Sequence, residues 1–67
     1  MKIIAISGNN AYLVQTEKDK GRVLDMNQKI FFKPFNIHSI LARGYWENFT
    51  GDQSILRELL MQAKEEQ

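Results

Sequence analysis

Lys2-Ile3-Ile4-Ala5-Ile6-Ser7-Gly8-Asn9-Asn10-Ala11-Tyr12-Leu13-Val14-Gln15-Thr16 is the stretch whose reading decides the fold. Two runs rich in β-branched and aromatic residues flank Gly8-Asn9-Asn10, residue types that tolerate the positive φ of a tight turn, and the combination predicts a β-hairpin. Downstream, Glu17-Lys18-Asp19-Lys20-Gly21 is polar and closes on glycine, as a solvent-facing turn does, and Arg22-Val23-Leu24-Asp25-Met26 has the length of a third strand. Asn27-Gln28 interrupts. Lys29-Ile30-Phe31-Phe32-Lys33 is then a fourth apolar run, which Pro34 ends or confines to a sheet edge because proline lacks the amide proton of a ladder. The expected unit is a small antiparallel meander of three or four strands from residue 2 to about 33.

From Asn36 the period changes. Ile37, Ile40 and Leu41 fall at i, i+3 and i+4, with Asn36 as N-cap and Gly44 placed to stop a short helix over about 37–43. An extended conformation competes there, since isoleucine suits either state. In the last segment Ile55, Leu56, Leu59, Leu60 and Ala63 form one apolar stripe, with Thr50 or Asp52 as cap, predicting an amphipathic helix over about 53–65. A helix of that length is marginal alone and must dock. The fold class expected is therefore α+β, a single domain over 1–67, with the C-terminal helix packed on one sheet face. A sheet covered on one side leaves its other face to be managed, and dimerisation does that directly.

Size sharpens this expectation. A chain of 67 residues buries only about 60% of its unfolded surface, and a lone core of this size supplies only ~3–5 kcal/mol, so small domains usually add disulfides, a metal or a second subunit. There is no cysteine, and the single histidine, His38, cannot make a structural zinc site. No cofactor or metal is expected, and a homo-oligomer is the remaining supplement. Apolar residues at 43% and charged residues at 25% are those of a folded globular chain. No stretch approaches the ~20 apolar residues of a membrane span, and the isoleucine run reaches Gly8 too early for a signal-peptide core. A cytoplasmic protein without a membrane partner is expected. The net charge of +1 hides a segregation: residues 1–46 carry seven cations against three acids, residues 47–67 two against five.

Enzymatic constellations are not legible. His38 has no cysteine to activate, and Asp25, Glu47 and Asp52 show no spacing that pairs them. Ile6-Ser7-Gly8-Asn9-Asn10 lacks the further glycines of a dinucleotide loop and the Gly-Lys-Ser/Thr of a P-loop. Two clusters remain. In Lys29-Ile30-Phe31-Phe32-Lys33-Pro34-Phe35, regular alternation puts Phe31 on one face between Lys29 and Lys33, a surface able to stack bases and hold phosphates; the alternative is that Phe31 covers a neighbouring element. Arg43-Gly44-Tyr45-Trp46-Glu47-Asn48-Phe49 holds Arg43, Tyr45, Trp46 and Phe49, types enriched at interface hot spots. With seven aromatics to bury, some should lie outside a monomer core. The leading reading is a non-enzymatic interaction protein, an inhibitor or regulator, that occupies a protein partner's surface through these clusters. A nucleic-acid-binding module using Lys29, Phe31, Lys33, Arg43 and Trp46 is second, and an oligomer holding a small ligand between subunits is third.

Overall fold

The first two strands pair around the Gly8 turn in a register that shifts once. In the computed structural model, which describes residues 1–66, β1 (Lys2–Ser7) pairs antiparallel with β2 (Ala11–Glu17), which pairs with β3 (Lys20–Asp25). The first turn places Gly8 at φ 58°. Ile3 faces Val14 and Ala5 faces Leu13, so Ile4 is an extra residue, a bulge that turns Ile4 and Ala5 to the same side. Beyond it β4 (Ile30–Phe31) and β5 (Phe35–Asn36) both pair with β3, at its two ends. Short β6 (Glu47–Asn48) borders β1, and β7 (Lys64–Glu65) runs parallel to β4. The described residues thus form a small α+β domain with a mixed seven-stranded sheet and two helices. Gln67, the last residue of the span read as one domain, lies outside the described residues.

Successive residues of a strand point to opposite faces, and on β2 Leu13 and Val14 are both fully buried. Both faces are therefore covered. On one, Ile3, Val14, Leu24 and Phe31 meet Leu56 of α2 (Ile55–Gln62), with Tyr12 and Phe49 packed alongside. On the other, Ala5 and Leu13 meet Ile40 of α1 (Ile37–Leu41), with Ile4, Val23 and Trp46 at the margin. Asn36 caps α1 by accepting from the amides of His38 and Ser39, and Gly44, at φ 84°, follows its end. Glycine at 21 permits the close approach of α1: a Cβ there would lie 2.9 Å from Cγ1 of Ile37 and 3.0 Å from Cδ1 of Leu13.

Two expectations are corrected by this arrangement. The sheet is not covered on one side alone: α1 covers the middle of the second face, so that face is not wholly open as the dimer argument from the sheet supposed. The second helix is shorter than 53–65, because Ala63 turns extended (φ −106°, ψ 151°) and the chain is drawn onto the β4 edge. There the Lys64 amide donates to the Lys29 carbonyl (2.8 Å) and the Glu66 amide to the Phe31 carbonyl (3.0 Å).

Edge closure at β1 also depends on a side chain. Oε1 of Gln53 accepts from the Ile3 amide at 2.8 Å, and its Nε2 donates to the Ile3 carbonyl at 2.7 Å. One carboxamide thereby stands in for a strand residue where β6 does not reach.

Candidate binding site on the α1 face

Helix length decides where this face stays open. Five residues of α1 rise about 7.5 Å, whereas the six-residue strands beneath extend about 20 Å. Ile37 and Ile40 cover the middle of the sheet, and the hairpin end is left to whatever follows. The cross-strand row at that end is Ser7, Ala11 and Asp25, joined by register, and its first two members are too small to fill the space. The result is a hollow of about 290 Å³, floored by Ser7, Ala11, Val23 and Asp25 and walled by Phe35, Ile40, Arg43, Tyr45 and Trp46.

Each wall residue is placed by a local rule. Phe35 pairs opposite Gly21 on β5, just after Pro34 ends the β4 run. Gly44 reverses the chain, bringing Tyr45 and Trp46 over the sheet on the way to β6, their rings 5.6 Å apart and tilted by 33°. Phe35 is 50% and Tyr45 54% exposed, while Trp46 is half-buried with an indole Nε1 that is buried and has no acceptor. A buried donor left without a partner costs about 1–3 kcal/mol.

Two opposite charges line the same hollow. Oδ1 of Asp25 accepts from the amides of Asn27 (2.8 Å) and Gln28 (3.3 Å), which fixes the carboxylate at the end of β3. Arg43 is exposed at the rim. Among the described residues the one ion pair is Arg22 with Glu65, at the opposite edge, so Asp25 and Arg43 share the hollow unpaired.

Of the residues singled out in the sequence, the structure brings together Arg43, Tyr45 and Trp46. Phe31 goes elsewhere: it is 4% exposed, in the core under α2, with the Arg22 guanidinium 3.8 Å from its ring centre. The alternation that would have exposed it fails because Lys29 takes φ 57° and the strand holds only Ile30 and Phe31. Lys29 and Lys33 are exposed beside β7, where the Lys33 amide donates to Oε1 of Glu66 at 2.9 Å, and neither reaches the hollow. Phe49 is half-buried on the α2 side, edge-on to Tyr12 at 6.1 Å. Sequence reasoning missed Phe35, Ser7, Ala11 and Asp25 as lining. The available signal was the pair of small residues, Ser7 and Ala11, on either side of the first turn.

A second, wider groove of about 700 Å³ runs along α2 between Met1, Leu56, Leu60 and Met61. No three His, Cys, Asp or Glu side chains among the described residues come together as metal ligands, and no described helix is long and apolar enough to cross a membrane. Comparison with protein-family models, with curated proteins and with solved structures finds no match.

Proposed function

We propose that this chain is a non-enzymatic interaction protein, an inhibitor or regulator, whose contact surface is the aromatic face around the α1 hollow. The observation that carries the reading is the exposure of Phe35 and Tyr45 beside Trp46 and Arg43, when the other aromatics are buried or half-buried. Covering a large apolar side chain is worth roughly 1.5–3 kcal/mol, and Trp, Tyr and Arg around a concavity are the usual composition of an energetic hot spot. The partner is a polypeptide that covers the exposed rings at the rim of the hollow. Support for the nucleic-acid alternative is weaker, because Phe31 is internal and Lys29 and Lys33 lie away from Arg43 and Trp46.

A photo-crosslinking phenylalanine analogue at Tyr45, compared in the source cell with the same analogue at exposed Glu58, tests this. Adducts to one or a few polypeptides from position 45, reduced by Phe35→Ala and absent from position 58, are expected. An adduct of twice the chain mass identifies a second copy as the partner. Equal labelling from both positions, or adducts to nucleic acid that disappear steeply with added salt, would overturn it.

A further inference from the structure

We infer that the α1 hollow takes a small zwitterion, an α-amino acid with an apolar or aromatic side chain. This rests on the reading of that face as a binding face and goes beyond it in naming a ligand. Asp25 and Arg43, of opposite charge, line one concavity without pairing, and each excludes a class of simple ligand. A cation alone meets Arg43, an anion alone meets Asp25, and a neutral apolar molecule leaves both charges unserved. A molecule carrying an ammonium and a carboxylate serves both, by the charge-assisted contacts that are the stronger kind of hydrogen bond.

Size and lining agree with this assignment. The volume of about 290 Å³ lies at the lower limit of ligand pockets, which run from about 300 to 1,000 Å³, and so fits an amino acid and not a dinucleotide. Val23 in the floor and Ile40, Phe35 and Tyr45 in the wall supply an apolar lining for the ligand's side chain. Trp46 adds its ring to the wall, and Ser7 is a hydroxyl-bearing residue of the floor. Asp25 is held by two backbone amides, so the acidic end is preorganised, while exposed Arg43 is free to close over the other end.

The single tryptophan of the chain lies in this wall, so its emission reports occupancy. The full chain is titrated with L-phenylalanine and L-leucine, then with phenylalanine amide, which lacks the carboxylate, and N-acetylphenylalanine, which lacks the ammonium. Saturable emission changes are expected for the free amino acids, with each blocked form at least about tenfold weaker, the loss of one charge-assisted contact. Arg43→Gln should abolish the preference over the amide. Asp25→Asn, which keeps the Oδ1 acceptor for Asn27 and Gln28, should abolish the preference over the N-acetyl form. Ala11→Leu should fill the floor and remove all response, with urea unfolding of the variant confirming that it folds. No saturable change up to about 10 mM, or equal affinity for the free and blocked forms, overturns the inference. If Tyr45 still yields specific adducts in that case, the interaction surface stands and the ligand assignment alone fails.

Discussion

Replacing Gln53 by alanine should loosen the β1 edge by an amount the geometry fixes. The carboxamide makes two hydrogen bonds to one residue, 2.8 Å from the Ile3 amide and 2.7 Å to its carbonyl, and Ile3 is 1% exposed. At about 0.5–1.5 kcal/mol net per bond, the expected loss is about 1–3 kcal/mol. Against the ~3–5 kcal/mol that a lone core of this size supplies, that is a large share. In urea, with a slope near 1 kcal/mol per molar, the midpoint should fall by about 1–3 M. Gln53→Glu separates the two bonds: a carboxylate still accepts from the Ile3 amide but faces the Ile3 carbonyl with a second oxygen. At neutral pH it should be no more stable than the alanine variant. As pH falls its proton supplies the missing donor, so stability should be regained on acidification, the sign for a carboxyl whose folded pKa is raised. The alanine variant should also self-associate with rising concentration, because an unpaired strand edge recruits another. An unchanged urea midpoint for Gln53→Ala, or a glutamate variant as stable as the parent at pH 7, would refute the role given to this side chain.

Arg22→Ala should cost about 2–3 kcal/mol in the same unfolding assay, since the guanidinium donates to the carbonyls of Phe32 (2.6 Å) and Phe31 (3.2 Å), pairs with Glu65 and covers the Phe31 ring; Arg22→Lys should recover only part of it, because an ammonium lacks the planar fork. Asp52 has its pKa held below the ordinary carboxylate value, chiefly by the backbone hydrogen bond from the Ser54 amide (2.9 Å). Its contribution is present above the unfolded pKa and is lost as pH falls through the folded one, so unfolding of the parent and of Asp52→Asn between pH 6 and pH 2 should converge at the acid end. Gly21→Val should destabilise by about 1–3 kcal/mol through overpacking against Ile37 and Leu13, and a circular-dichroism melt unchanged from the parent would show that α1 does not pack there.

Local chemistry made much of the fold legible. Gly8 and the flanking β-branched runs encode the first turn, Asn36 encodes the start of α1, and the leucine stripe encodes a docking face on α2. What stayed hidden depends on contacts far apart in sequence. A two-residue strand such as Lys64–Glu65 carries no period of its own; it exists because the Lys29 and Phe31 carbonyls accept from residues 64 and 66. That Phe31 covers a neighbouring element was one of the two readings its sequence offered; the cover itself was not legible, since the arginine over its ring lies nine positions earlier on a neighbouring strand.

The site was half legible on similar grounds. Arg43, Tyr45 and Trp46 are close in sequence, and composition alone marks them. Their partners Ser7, Ala11, Asp25 and Phe35 come from four separate strands, and the row that joins the first three follows from a register shifted by the bulge between Ile3 and Ala5. Without that bulge, Ser7 would alternate to the α2 side and Ala11 would face a different neighbour. The hollow is thus a consequence of two local irregularities acting together. One extra residue in β1 sets small side chains on the α1 face, and a helix stopped after five residues leaves them uncovered. A longer α1 would close the face and bury more apolar surface, so the room at the hairpin end follows from the helix's early stop.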